Sequence, residues 1–279
     1  MQPVYIGMDI GGTHIRVLKN QTRTVLKTAD FQDFMDVIDL LVQPSIPTDI
    51  VCALAGPIDH EGGVSPPNIK KWGRVDPKKI EKKFPQVKIR FINDLVAHAH
   101  GLEHAEQKDL HLLKKGSMPD GKKILLIAPG TGLGVAFKDH AHVYPSEAGH
   151  IDCPAYGQEG EKVYQNMLKK YGHVSYERIV SGPGLEEINQ ILNTKGVQPL
   201  FTQNLARFIA NMTVTFLPET IFLGGGILMH RLEEIDRALF NEALLDQGRF
   251  KELVNRPNIY VVLDEFTALK GAYSLVHPK

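Results

Sequence analysis

The stretch Ile6-Gly7-Met8-Asp9-Ile10-Gly11-Gly12-Thr13 returns in altered form as Leu126-Ile127-Ala128-Pro129-Gly130-Thr131-Gly132. In each, a short apolar run stops at glycines and β-type residues then resume, Ile15 and Val17 after the first and Val135–Lys138 after the second. Short apolar runs bounded by turn residues read as buried strands. Outward from the first turn, the pattern predicts strands over Val4–Ile10, Val25–Thr28, Asp49–Leu54 and Val87–Ile92. It also predicts a helix over Phe31–Val42 capped by Asp30, a helix over Val75–Phe84, and one starting at Leu95. Outward from the second turn it predicts strands over Lys123–Ala128, His142–Tyr144, Thr220–Leu223 and Ile259–Leu263. Helices are expected over Glu159–Tyr171, Pro183–Leu192, Phe201–Phe216, Leu232–Leu245 and Ala268–Val276. Strand, glycine turn, strand, strand, helix and strand thus occur from residue 4 and again from residue 123. This weak internal repeat is too long for a solenoid period. It predicts two α/β domains of similar plan with a cleft between them, joined by a packed hinge because no low-complexity linker separates them.

The composition fits that plan. At a prior of about 150 residues per domain, 279 residues suggest two domains. Lys+Arg and Asp+Glu are each 32, so the formal net charge is zero. That argues against a nucleic-acid binder working through a basic face and against a polybasic membrane binder. The two cysteines, Cys52 and Cys153, form no CxxC pair, so neither a disulfide framework nor a thiolate zinc site is expected. Asp9 interrupts the first apolar run, no positively charged segment precedes it, and no signal peptide is expected. Wholly apolar stretches fall far short of the roughly 20 residues that a spanning helix needs. The expectation is a soluble, cytoplasmic protein.

A glycine turn after a buried strand leaves backbone N–H groups uncovered and lets an anion approach closely. One such turn is equally a ligand-free hairpin; two of them, with Asp9 just before the first, point to a polyphosphate gripped twice. Other nucleotide architectures do not fit. Gly130, Gly132 and Gly134 lack the G-x-G-x-x-G spacing and run into β-type residues, where a Rossmann fingerprint needs a helix. Gly116–Lys122 matches G-x4-G-K, but Lys123 replaces the Ser or Thr of a Walker A loop and a strand follows, so it reads as a solvated turn.

Asp9-Ile10-Gly11-Gly12-Thr13-His14-Ile15-Arg16 resembles the first phosphate motif of the hexokinase–actin–heat-shock ATPase superfamily, and Ala128–Ala136 resembles its second. Within it the chain resembles the bacterial glucokinases. The matching pieces are Ile92-Asn93-Asp94, Glu147–Asp152, Glu177–Gly184, Phe222–Ile227 and Gly248-Arg249-Phe250, in family order over nearly the whole chain. The chain departs from the family in a short segment between Gly184 and Gly224 and in Ser146 and Ala148, where glycine is common. Cys153 stands alone where the related repressor–kinase branch has a cysteine-rich zinc motif.

The resemblance implies an α/β fold of two actin-like ATPase (ribonuclease H-like) domains. Residues 1–104 with 267–279 would form a small domain with the first phosphate motif and Asp94; residues 105–266 would form a large one with the second phosphate motif, sugar loop and adenosine motif. The implied activity is ATP-dependent phosphorylation of the 6-hydroxyl of glucose, with another hexose, an amino sugar or a sugar sensor without transfer as alternatives. Phosphoryl transfer to an alcohol needs a proton acceptor as the new P–O bond forms. Asp94 has the chemistry, although an Asp before Leu95 is equally a helix N-cap; the resemblance makes it the base. Asn68, Asn93, Asp94, Glu147, His150 and Glu177 are the implied sugar contacts, each otherwise readable as a turn, surface or helix-face residue. Gly11, Gly12, Thr13, Gly130, Thr131 and Gly132 are the implied phosphate contacts, and Gly224, Gly225 and Gly226 would lie against adenosine. Mg²⁺ would be held through water near Asp9 rather than by a direct protein ligand. The implied partners are glucose and Mg-ATP, with a homodimer left open.

Two patterns compete with this reading. His100-Gly101-Leu102-Glu103-His104 spells H-x-x-E-H, an inverted metalloprotease pattern, but Gly101 weakens the helix such a site needs. Cys153 could be a nucleophile, although a buried structural thiol is the commoner fate.

Overall fold

The computed structural model describes residues 3–43 and 45–276; the outer limits of the expected domains, residues 1 and 279, lie outside them. The chain divides into two compact units, one reaching to Glu106 and resuming at Asp264, the other running Gln107–Leu263.

The first unit carries β1 (Tyr5–Ile10), β2 (His14–Lys19), β3 (Thr22–Lys27), α1 (Phe34–Leu41), β4 (Asp49–Leu54), α2 (Pro77–Lys83), β5 (Lys88–Asn93) and α3 (Asp94–Gly101). Its sheet order is β3-β2-β1-β4-β5, with β1, β4 and β5 parallel and the β1–β2–β3 meander antiparallel. β4 is buried on both faces, as its unbroken apolar run predicts. Ile50, Cys52 and Leu54 join the larger core with Phe34, Trp72 and Phe91, while Val51 and Ala53 face Ala97 and Ala272 on the other side.

The second unit carries β6 (Leu110–Lys114), β7 (Lys123–Pro129), β8 (Leu133–Asp139), β9 (His142–Ser146), α4 (Gly157–Tyr171), α5 (Tyr176–Ile179), α6 (Gly182–Leu192), α7 (Pro199–Phe216), β10 (Thr220–Leu223), α8 (Gly226–Arg231), α9 (Arg237–Leu245), α10 (Lys251–Val254) and β11 (Asn258–Val262). Its sheet order is β6-β11-β10-β7-β8-β9. Read from β9 to β11, this is the first unit's order again: a central strand with an antiparallel hairpin on one side and two parallel strands on the other. Its core gathers around α7, whose Phe201, Leu205, Phe208 and Ile209 are fully buried.

Three expectations shift. α1 starts at Phe34 and is capped by Asp33, whose carboxylate accepts from Met35 N at 2.9 Å while Asp36 reaches back to Asp33 N at 3.0 Å. Asp30 sits in a short 3-10 turn instead. The cause is Thr28, which is tied to the first glycine turn by Thr28 N donating to Thr13 O at 3.0 Å and Thr28 Oγ1 to Gly11 O at 2.7 Å. The helix expected over Leu232–Leu245 begins only at Arg237, after α8 and a 3-10 turn, because Asp236 caps it through Ala238 N and Leu239 N. β6 was not expected; it adds antiparallel to β11 at the sheet edge, where only one side pairs.

The last helix, α11 (Thr267–Val276), completes the first unit by packing on α3 and β1. Two glycines set that contact. A Cβ on Gly271 would overlap the Ala97 carbonyl oxygen, and one on Gly101 would overlap the Thr267 carbonyl oxygen. The helix backbones therefore touch where any side chain would hold them apart. Gly271→Ala is expected to lower unfolding stability by at least about 2 kcal/mol, an overpacking cost with no flexible group to absorb it. Urea midpoints would measure this, and an unchanged midpoint would refute the close-contact account.

Candidate active site

In the first unit, Ile10, Leu54 and Asn93 lie side by side in register at the ends of three parallel strands. The chain leaves each strand at the same end. The turn Gly11-Gly12-Thr13, the loop beginning at Ala55 and the start of α3 are brought together by that pairing alone. Gly11 N donates to His14 O at 2.9 Å to close the turn. The loop after β4 returns Asn68 to it: a Cβ on Gly12 would stand 3.2 Å from Asn68 O. Arg74 clasps that loop, Nε donating to Asp59 Oδ2 at 2.7 Å.

The helix cap that the sequence offered to Asp94 falls to Asn93. Asn93 is the N-cap of α3, its Oδ1 accepting from Leu95 N at 3.0 Å and Val96 N at 3.4 Å, while its Nδ2 donates to Gly56 O at 3.5 Å. Asp94 is the first helical residue and accepts from Leu95 N at 2.9 Å through Oδ1. The positive end of the helix favours its negative charge.

Asp9 faces Arg16 across the β1–β2 hairpin, with Arg16 Nη1 at 3.3 Å from Asp9 Oδ2 and Nη2 at 2.9 Å from Glu265 Oε2. Burial, with the Arg16 guanidinium working against it and the Asp94 charge adding to it, raises the Asp9 carboxyl to about 6. Arg16 stands in the first motif without a role assigned from sequence, and the structure makes it the ion partner of Asp9. Its signal was present: residues 9 and 16 lie equally far from the centre of the turn, and so face each other across any tight hairpin.

In the second unit, Gly130-Thr131-Gly132 joins β7 to β8, with Gly130 N donating to Gly132 O at 2.8 Å. A Cβ on Gly130 would meet nothing within 4 Å, and its φ lies outside the left-handed region. Neither packing nor backbone conformation requires glycine there, whereas an approaching ligand would. The N-terminus of α6 abuts this turn, Gly182 N donating to Gly130 O at 2.8 Å beneath the Ser181 cap. The triplet Gly224-Gly225-Gly226 comes from β10, next to β7. Gly225 combines φ +87° with a position where a Cβ would overlap the Pro129 carbonyl oxygen, so no other residue fits. The second glycine turn and the glycine triplet are therefore neighbours.

Glu147, His150 and Glu177 also meet in this unit. His150 Nε2 lies 3.8 Å from Glu147 Oε2, and His150 Nδ1 lies 3.8 Å from Glu177 Oε1. Ser146 Oγ accepts from Ala148 N at 3.1 Å, and Gly149 packs on the Leu133 backbone, which seats the 147–150 turn against β8. Glu147 and His150 are exposed, while Glu177 is 28% exposed. An open carboxylate–imidazole–carboxylate row suits vicinal hydroxyls, each a donor and an acceptor.

The competing patterns have structural uses. In the Gly116–Lys122 stretch, Asp120 accepts from Thr220, Asn258 and Tyr260, and Gly116 N donates to Asn258 Oδ1 at 2.8 Å. It is a pinned turn between β6 and β7. His100–His104 spans the end of α3 and a 3-10 turn, and Gly101 serves the α11 contact. The buried Cys153 Sγ donates to Asn204 Oδ1 at 3.4 Å, and burial pushes its thiol to about 12, which makes it a poor nucleophile. Among the described residues no helix is long and apolar enough to cross a membrane.

A family model described as Glucokinase matches residues 6–199 and 194–279. The glucokinase of Psychromonas ingrahamii is 28% identical over 314 aligned residues, covering 98% of this chain and 96% of that protein. A glucokinase structure from an Antarctic psychrotroph superposes with a TM-score of 0.81 at 22% identity, over 100% of both chains. A ROK family glucokinase from Streptomyces griseus, solved in complex with glucose and AMPPNP, gives a TM-score of 0.60 at 18% identity, over 99% of this chain and 100% of that one. These two structures share the α/β fold of the actin-like ATPases with this chain. With both glycine turns and nearly every residue inside the matched ranges, the chain belongs to the glucokinase family.

Proposed function

We propose that this chain is an ATP-dependent glucokinase that phosphorylates the 6-hydroxyl of glucose, giving glucose 6-phosphate and ADP in the cytoplasm. The observation that carries this reading is the meeting of two chemistries on one residue of the second unit. Leu133 ends the phosphate turn, and the Glu147–His150–Glu177 row is seated against it. A hydroxyl-reading row beside an anion-binding turn is what phosphoryl transfer to a sugar requires.

In this reading Asn68, Asn93, Asp94, Glu147, His150 and Glu177 orient the sugar. Asn93 contributes through Nδ2, since its oxygen is committed to the helix cap. Asp94 takes the proton as the 6-oxygen bonds to the γ-phosphorus, while the β–γ bridging oxygen leaves with ADP. Gly11, Gly12 and Thr13 offer donors to phosphate oxygens from the first unit; Gly130, Thr131 and Gly132 do so from the second. The α6 N-terminus beside Gly130 adds a partial positive charge. Gly224, Gly225 and Gly226 leave bare backbone for adenosine.

Magnesium accompanies ATP in such reactions and neutralises charge on its phosphate oxygens. Asp9 fits that ion through water: it is a carboxylate at the turn, with Asp94 close enough to feel its charge.

A coupled assay for ADP release over glucose, mannose and amino sugars tests the substrate, with the highest kcat/KM expected for glucose. Sugar binding without ADP release would make the protein a sensor instead. Asp94→Asn is expected to keep most sugar affinity and lower kcat on the order of 10²–10⁴-fold, because the proton acceptor is lost while positioning remains. A variant keeping more than about a tenth of kcat, with chemistry rate-limiting, would remove Asp94 from that role.

The raised Asp9 carboxyl also predicts a pH dependence of stability. Between about pH 4 and pH 6 the folded state holds a proton that the unfolded chain has released, so stability falls as pH rises through that window. The change is on the order of 2–3 kcal/mol. Asp9→Asn cannot ionise, so its stability relative to the natural chain should rise by that amount from pH 4 to pH 7. Urea unfolding across this range measures the difference, and a constant difference would mean that Asp9 titrates normally.

A further inference from the structure

Glu177 has two faces in the second unit. Its Oε2 accepts from Leu133 N at 2.9 Å, the first N–H after Gly130-Thr131-Gly132. Its Oε1 lies 3.8 Å from His150 Nδ1, on the side of the hydroxyl-reading row. Gly132 completes the arrangement: a Cβ there would stand 2.7 Å from Glu177 Oε2. The carboxylate thus occupies the space that any other residue at 132 would claim, and the phosphate turn and the sugar row share one side chain.

We infer that Glu177 is a positioning residue that transmits sugar occupancy to the phosphate turn, through its hydrogen bond to Leu133 N and its contact with Gly132. This rests on the sugar reading of the Glu147–His150–Glu177 row. A hydroxyl bound between His150 and Glu177 fixes the carboxylate on its Oε1 side. Fixing the carboxylate holds Leu133 N, and with it the end of the turn whose N–H groups face the phosphates. By linkage, phosphate bound at the turn steadies the same carboxylate for the sugar. No movement between the units is needed, because every atom involved lies in one of them.

The decisive variant is Gly132→Ala, which alters the turn side only. The end of a flexible glutamate can yield to the new methyl group, so the fold should persist with an unchanged melting temperature while the carboxylate is displaced. Glucose affinity measured calorimetrically without nucleotide is expected to fall about 10-fold, as for loss of a hydrogen bond to a charged group. Wild-type glucose affinity in Gly132→Ala would overturn the inference. Glu177→Gln supplies the conservative arm, since its amide oxygen can still accept from Leu133 N. Its affinity for AMPPNP alone should stay within about 2-fold of wild type, while the tightening of AMPPNP by glucose falls from the usual range of about 5–150-fold towards none. Full coupling in Glu177→Gln would also overturn it. If the wild-type chain bound no glucose, the sugar reading would fail. Glu177→Ala titrated with AMPPNP alone would still decide the turn half: a several-fold loss supports it, and unchanged affinity refutes it.

Discussion

Parallel pairing is the constraint on which the rest of this protein depends. Antiparallel strands can be joined by a tight turn, but parallel strands require a crossover and then end on the same edge of the sheet. In the first unit that edge collects Ile10, Leu54 and Asn93; in the second it collects Ile127, Leu223 and Val261. Both glycine turns, Asn93-Asp94 and the 224–226 triplet follow within a few residues of those positions. The single antiparallel partner of each central strand, β2 or β8, supplies the glycine turn. The parallel neighbours supply what faces it, Asn93 and Asp94 in one case and the 224–226 triplet in the other. Residues more than 80 apart in the chain become neighbours without any specific contact being needed to recruit them.

The two turns share a backbone plan but differ in electrostatics. At the first, the Asp9 carboxyl is raised to about 6 by burial and by the charge of Asp94, with the Arg16 guanidinium 3.3 Å away working against both. That arrangement costs folding free energy, as functional sites often do. Arg16 is itself divided between Asp9 and Glu265, the contact to Glu265 being the shorter. At the second turn no carboxylate precedes the glycines. Its negative group is Glu177, which accepts a backbone N–H from the turn, and the neighbouring α6 N-terminus contributes positive potential. The first turn suits a cation accompanying phosphate, the second the phosphate itself.

Much of this was legible in the sequence because it is local. A short apolar run ended by glycine can be little other than a buried strand and turn, and its recurrence 120 residues later exposed the doubled plan. Gly11-Gly12-Thr13, Gly130-Thr131-Gly132 and the 224–226 triplet declared themselves by the absence of side chains. The helix expected over Val75–Phe84 is present as α2 over Pro77–Lys83, with Asp76, unmarked in the sequence reading, as its cap. A helix start was misread at Asp30, where a tertiary bond from Thr28 to the first turn outweighed a good local cap.

The remainder was decided by tertiary structure. Asn93 and Asp94 are adjacent and both can cap a helix; only the geometry of strand β5 entering α3 gives the cap to Asn93 and leaves Asp94 one residue further along. Arg16 became part of the site through hairpin register, and Asn68 through the return of a clasped loop to Gly12. β6 exists because β11 offers it an unpaired edge. Gly101 looked like a flaw in a metal-binding helix and is the point at which α11 touches α3. Composition and periodicity report the conformation a segment prefers and the face it buries. They carry no information about which distant backbone atom lies within 3 Å of a side chain, and that distance turned Glu177 from a helix-face carboxylate into the partner of Leu133.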